Sequence, residues 1–285
     1  MKKYLILSIL SLLILTGLFF YQNAKINDGK LHLVVCDVGQ GDAIYLKTPS
    51  GKDILVDGGP NDSVLNCLTN NMPFWDRTID LIVLTHPDAD HITGLVSVLE
   101  RYNVLHFVTS KTTKTTAIYK KFLNALEKEG LELKYVFAKD RIDFGDGTVS
   151  NIIWPDSSLF NSKQIRESGV NEYSVIQLIS YGNFQALLTG DAGSLVMDEI
   201  AKDAGDIDIL KIPHHGSKTG MSDYFLTEIK PEVAVISVGA KNRYGHPTQF
   251  SLDLLSKHNV KTLRTDKNGE IEIVTTGPDY EVYSN

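Results

Sequence analysis

One junction limits what this chain can fold into. A run of buried-strand type, Ile79–Thr85, leads straight into His86-Pro87-Asp88-Ala89-Asp90-His91, and a helical pattern follows from about Thr93 to Tyr102. A strand end opens on a crevice, and the loop beyond it can turn successive side chains toward one point. A solvated turn with a helix N-cap accounts for Asp90 alone. It does not account for two histidines flanking two aspartates. Two further segments carry donors of the same kind. Asp191 follows Ala186-Leu187-Leu188-Thr189-Gly190, and His214 and His215 follow the strand pattern Ile207–Ile212 within Pro213-His214-His215-Gly216-Ser217. Asp191 alone reads equally well as a helix N-cap. Taken together, the three strand-end clusters read as one metal site.

The rest of the pattern is strand-dense from Leu31 onward. Leu31–Val38, Ala43–Thr48, Asp53–Val56, Val104–Val108, Glu132–Phe137 and Val149–Trp154 read as strands, and Thr116–Glu129 as an amphipathic helix ended by Gly130. Tyr173–Ser180 and Phe184–Thr189 read as a hairpin through Tyr181-Gly182-Asn183. Strands at Val233–Val238, Lys261–Arg264 and Glu270–Val274 follow, with helices near Ser194–Asp203, Ser222–Ile229 and Thr248–Lys257. Helices fall between clusters of strands rather than after every strand. That predicts two sheets covered by helices, an αββα sandwich of the α/β class, and not a doubly wound sheet. Residues 157–171 are polar and irregular, a candidate active-site loop.

Lys2 and Lys3 precede an apolar run from Tyr4 to Tyr21, close to the ~20 residues that span a bilayer. Phe19-Phe20-Tyr21-Gln22 is a poor cleavage site, so residues 1–21 read as a retained transmembrane anchor in preference to a signal sequence. The two lysines then stay in the cytoplasm and the body of the protein lies outside; cleavage would instead release it as a secreted protein. Residues 22–30 form a polar tether and 31–285 one catalytic domain. A length of 285 residues with 42% hydrophobic content buries a core without staples. The net charge of −7 argues against a sequence-independent grip on DNA through a basic stripe, though not against a nucleic-acid substrate held through metal ions. Cys36 and Cys67 are too few for a disulfide framework. Cys36, within a strand pattern, reads as a buried small hydrophobe.

The order His-x-Asp-x-Asp-His, then Thr-Gly-Asp, then Pro-His-His-Gly-Ser resembles the metallo-β-lactamase superfamily. More narrowly, the chain is similar to the extracytoplasmic hydrolase domain of ComEC-type DNA-uptake proteins. Asp37-Val38-Gly39-Gln40-Gly41-Asp42-Ala43, Leu55-Val56-Asp57-Gly58-Gly59 and Ser237-Val238-Gly239 with Asn242-Arg243-Tyr244-Gly245-His246-Pro247 carry that closer likeness. It runs from about Leu31 to about Val274. The resemblance implies that His86 and Asp88 hold a first metal and Asp90 and His91 a second, with Asp191 bridging them or serving the second. His215 matches the final histidine ligand, and His214 lies nearer the substrate oxygen. Asp57 resembles the carboxylate that orients the cluster from behind, although a turn before two glycines explains it as well. Asp42 and Gln40 shape the floor.

Two departures stand out. Asp88 occupies a position where the superfamily commonly has His, and no histidine marks the strand position between the first motif and Thr-Gly-Asp. His106, in the apolar Val104–Val108 pattern, reads as a core residue, and Asn171 or Ser174 lies near the vacant position. Carboxylate in place of imidazole makes the donor set harder, so Mn²⁺ competes with Zn²⁺ for one or two divalent sites. Such ions lower the pKa of a bound water. Asp90 belongs to the catalytic machinery, and His214 and His246 can steady developing charge or protonate a leaving group. Ser217 and Arg243 stand near the substrate; Arg243 can pair with a phosphate or be an exposed loop charge. The expected activity is an extracytoplasmic phosphodiesterase, with a nuclease as its leading form. Alternatives are an acyl or lactone hydrolase and a non-catalytic module of a DNA-uptake complex. Expected partners are the membrane and DNA or another phosphodiester, with no organic cofactor.

Overall fold

Two runs of β-branched and leucine-rich strands, each burying both faces, set the architecture of the computed structural model, which describes residues 2–161 and 167–284. The first sheet has eight strands in the order Tyr280–Ser284, Ile271–Thr275, Leu31–Val35, Ile44–Lys47, Asp53–Val56, Leu81–Leu84, Phe107–Thr109 and Lys134–Tyr135. The second has seven: Lys261–Arg264, Val233–Ile236, Ile209–Lys211, Phe184–Leu188, Ile176–Tyr181, Thr148–Trp154 and Arg141–Asp143. Each sheet is part antiparallel and part parallel. Asp53–Val56, Leu81–Leu84 and Phe107–Thr109 run parallel in one, and Phe184–Leu188 through Lys261–Arg264 in the other.

Three apolar layers follow from the alternation of side chains along these strands. Leu33, Val35, Ile44, Val56 and Val83 face Ile152, Ile179, Ala186, Ile209 and Val235 between the sheets. The outer face of the first sheet packs on the helices Ser63–Asn71, Ala89–Leu99 and Ala117–Lys128 through Leu55, Leu68, Leu95 and Phe122. The outer face of the second packs on Ser194–Ala204, Asp223–Ile229 and Gln249–Lys257 through Leu210, Met197, Phe225 and Leu255. This is the expected αββα sandwich.

Ahead of it runs a helix, Lys2–Ile26, whose segment Lys3–Gln22 is long and apolar enough to cross a membrane. Its apolar side chains are exposed along its length. The helix continues past Tyr21 to Ile26, shortening the expected tether, and the Phe19 ring meets Trp75 with centroids 4.5 Å apart.

Several expectations are corrected. Cys36 is buried but is no free hydrophobe: it is disulfide-bonded to Cys67, with Cα atoms 5.8 Å apart. The apolar pattern around Cys36 is real, yet it says nothing about the helix Ser63–Asn71 that brings Cys67 over it. His106 is exposed, because the run Val104–Val108 breaks into Asn103–Val104 and Phe107–Thr109 and turns Leu105 and His106 outward. Only Lys134–Tyr135 of the expected strand Glu132–Phe137 pairs with a neighbour. The polar stretch 157–171 contains 3₁₀ turns at Ser157–Asn161 and from Glu167 onward, and residues 162–166 within it lie outside the described residues.

Candidate metal centre

In parallel sheets, the crevice beyond the strand carboxyl ends is where functional loops gather. Here the parallel halves of both sheets release their loops at a common edge. Asp53–Val56 releases Asp57, Leu81–Leu84 releases His86, Phe184–Leu188 releases Asp191, and Ile209–Lys211 releases His214 and His215. Close approach of loops is needed as well. At Gly41 (φ 147) a Cβ would stand 2.2 Å from the Asp90 carbonyl oxygen, so only glycine lets these two segments touch.

Asp90, His91, Asp191 and His215 each offer a ligand atom, all within 4.8 Å of one another. His91 Nε2 and His215 Nε2 both lie 3.4 Å from Asp191 Oδ2, and His215 Nε2 lies 3.5 Å from Asp90 Oδ2. Ligands about 2.1 Å from a shared centre in a tetrahedron stand about 3.4 Å apart, so this set has the edges of a metal cage.

The other ring nitrogens are committed. His91 Nδ1 donates to Asp57 Oδ2 at 2.7 Å, and His215 Nδ1 donates to the Ser237 carbonyl at 2.9 Å. The Thr85 hydroxyl donates to Asp57 and lies 3.0 Å from His86 Nδ1, which donates to it. Each Nε2 of His86, His91 and His215, together with Asp191 Oδ1, is buried without a hydrogen-bond partner among the described residues. Buried polar atoms are rarely left so. His91 and His215, oriented through Nδ1 with bare Nε2 atoms facing Asp191, fit a divalent cation.

Charge agrees with this. Burial pushes Asp191 upward, but His215 and His91 overcome it and hold the carboxyl well below the usual range. Burial likewise works against charge on His91 and His215. For both Asp191 is the larger opposing influence, joined by Asp57 and Asp42 respectively, and both imidazoles are raised well above their ordinary value. In the metal-free centre protons on these rings balance the carboxylates, the charge a cation supplies when it displaces them. His86 differs: burial, then His91, pushes it down to about 4, leaving a neutral ring.

The remaining expected residues fall in three places. Behind the cage, Asp57 accepts from Thr85 and His91, and burial raises its carboxyl despite the pull of His91. Asp42 is buried against the Lys211 ammonium, with Oδ1 3.4 Å from His215 Nδ1, and Gln40 Oε1 accepts from the Gly239 N–H at 3.3 Å. At the mouth, His214 Nε2 is 3.8 Å from Asp191 Oδ2, and the His246 ring is 5.7 Å from that of His214. With left-handed backbone at φ 48 for His214 and φ 54 for His215, both neighbours bring Nε2 toward the same Asp191 oxygen, at 3.8 and 3.4 Å. Farther out, Arg243 is exposed, the Ser217 hydroxyl lies 3.2 Å from that of Thr219, and Asn171 is half-buried, its carbonyl accepting from Ser174.

Asp88 lies beside the cage rather than in it, with Oδ2 3.8 Å from His86 Nε2. Of the two residues expected near the position without a histidine, Ser174 brings its Oγ to 3.3 Å from His86 Nδ1. Sequence reasoning missed Thr85, Ser237, Lys114 and Lys211. Lys211 carried a signal: a cation inside a buried strand requires a partner, and Asp42 is that partner.

Residues 36–240 match the profile of the metallo-beta-lactamase superfamily, and the chain belongs to that family. It has the family's metal-dependent hydrolase fold, and its curated relatives are ComEC-type competence proteins. It is 29% identical over 274 residues to ComE operon protein 3 of Bacillus subtilis, covering 90% of this chain and 34% of that protein. It is 28% identical over 269 residues to Competence protein ComA of Neisseria gonorrhoeae, covering 92% of this chain and 35% of that protein. The chain thus spans about a third of the length of these relatives. Among solved structures, Zn²⁺-bound PqqB from Methylobacterium extorquens shares the fold with a TM-score of 0.55 at 13% identity, over 82% of this chain and 97% of that one.

Proposed function

We propose that residues 31–285 form an extracytoplasmic phosphodiesterase, with single-stranded DNA as the first substrate to test, carried on a membrane anchor at residues 1–21. The observation that carries this is the cage of Asp90, His91, Asp191 and His215, with its bare Nε2 atoms, in a chain related to competence proteins. The outward location is supported by the disulfide, which persists in oxidising compartments, and by the lysines at the start of the anchor.

A divalent ion held in this cage, Mn²⁺ or Zn²⁺, supplies Lewis acidity to a water and to the substrate oxygen. The two carboxylates favour the harder Mn²⁺. Asp57 and the Ser237 carbonyl fix the tautomers of His91 and His215, so no reorientation is needed when substrate arrives. His214, its side chain 34% exposed at the mouth, is placed to meet a phosphoryl oxygen or give a proton to the leaving group. Burial, then His215 and His214, hold His246 below its ordinary value. It is therefore neutral near pH 7 and steadies His214 rather than acting as the acid; its Nδ1 lies 3.3 Å from the His214 carbonyl.

The full chain in detergent, supplied with Mn²⁺ or Zn²⁺, should cleave bis-p-nitrophenyl phosphate and single-stranded DNA. Chelation or Asp90→Ala should reduce cleavage to the metal-free background. Turnover of nitrocefin or a lactone alone would replace this reading with an acyl or lactone hydrolase. Metal binding with no turnover would leave a non-catalytic module.

A further inference from the structure

Beside the cage, the motif is built differently. Asp88 occupies the N-cap position of the helix Ala89–Leu99 with extended backbone, yet its side chain makes no capping hydrogen bond. The carboxylate lies between two other groups instead. Oδ2 is 3.8 Å from His86 Nε2, and Oδ1 is 2.6 Å from Lys114 Nζ. Lys114 comes from the loop after Phe107–Thr109, which is pinned at its start: the Ser110 and Thr112 hydroxyls lie 2.9 Å apart and the Thr112 N–H donates to the Ser110 carbonyl. With side chains 17% and 27% exposed, the pair is partly shielded from solvent.

Among the described residues, the one further oxygen facing this side is Asp191 Oδ1, which is buried without a partner and belongs to the cage. The Ser174 hydroxyl donates to the Asn171 carbonyl and accepts from the Asp191 N–H. A divalent cation between His86 and Asp88 would have two protein ligands of its own, at most a shared Asp191 oxygen besides, and a lysine ammonium as its neighbour. Like charges at such range repel strongly where water is scarce. The ammonium has three donors, and among the described residues Asp88 is the one acidic group within 4 Å of it, which leaves it the capacity to meet an anion as well.

We propose that Lys114 takes the electrostatic place of a second metal ion: it neutralises Asp88, excludes a cation beside His86, and contacts a non-bridging oxygen of a phosphodiester held at a one-ion centre. This rests on the metal centre and phosphodiester chemistry proposed above. An ion pair that merely held a loop would not need the one carboxylate of the motif that forgoes its capping bond.

The test counts bound metal. Full-length protein in detergent is dialysed against graded Mn²⁺, and bound Mn²⁺ per chain is measured by elemental mass spectrometry. Wild type should saturate at one ion. Lys114→Met, which keeps the alkyl volume, should gain a second ion with affinity raised roughly tenfold or more, and Lys114→Arg should stay at one. At Mn²⁺ levels that fill only the cage, Lys114→Met should raise KM for bis-p-nitrophenyl phosphate about tenfold with unchanged Mn²⁺ affinity at the cage. Two ions in wild type, or one in the methionine variant, would overturn the exclusion; an unchanged KM would overturn the phosphate contact. Absence of any bound ion in wild type would instead bring down the metal centre itself, a separate failure.

Discussion

Asp57 is fully buried with left-handed backbone at φ 59, and its carboxylate accepts from the Thr85 N–H, the Thr85 hydroxyl and His91 Nδ1. Asp57→Ala removes all three acceptor interactions at once and leaves buried donors bare, each costing about 1–3 kcal/mol. The variant should lose about 3 kcal/mol in thermal unfolding of the metal-free protein. Its Mn²⁺ affinity, read by titration calorimetry, should fall about 10–100-fold because His91 is no longer aimed. At this scale the sequence was legible wherever chemistry left a chain-local mark. Histidines and aspartates at strand ends stood out because packing does not ask for them. Lys114 did not, because a lysine in a threonine-rich loop looks like an ordinary surface residue, and Ser174 came into view only through the family resemblance, as one of two candidates. His106 was misread since an apolar run gives no sign of where it breaks.

Helix Ala89–Leu99 begins earlier than the periodicity from Thr93 foretold, because its first turn consists of the motif itself. Asp90 and His91 face the metal cage, so their polarity hides the helical phase that Ile92, Leu95, Val96 and Leu99 reveal further on. Gly94 in this helix tests which effect dominates. Alanine gains about 1 kcal/mol over glycine in a helix interior. Here, however, its Cβ would stand 2.0 Å from the Gly58 carbonyl oxygen and 2.6 Å from that of Asn61, both rigid backbone. Overpacking of this kind costs about 1–3 kcal/mol or more and cannot be relieved by a rotamer change. Gly94→Ala should therefore be destabilising by about 2 kcal/mol in denaturant unfolding. It should also weaken Mn²⁺ binding, since the Gly58 N–H holds the His91 carbonyl at 2.7 Å.

The layered plan of the whole molecule was legible because helices fell between groups of strands. The pairing that completes the first sheet was not, since Leu31–Val35 joins Ile271–Thr275 from the far end of the chain. Nor was the disulfide, which depends on how the helix Ser63–Asn71 lies across the first sheet. Cys36 and Cys67 close a loop with a sequence separation of 31. Loop-closure entropy for that length gives about 3–4 kcal/mol. Replacing both cysteines by serine should lower the melting temperature by roughly 7 °C in calorimetry, and dithiothreitol should produce the same shift in wild type.

The cage draws on residues 90–91, 191 and 215, which meet only when both sheets are assembled. In the extracytoplasmic arrangement proposed above, a chain threaded through a membrane before it folds would arrive empty. No cytoplasmic metal store or chaperone would then select its ion. The surroundings of the cell would, through whichever transition metal is abundant there when the two sheets close. Scarcity of that metal in the medium would then silence the protein without any change in its expression.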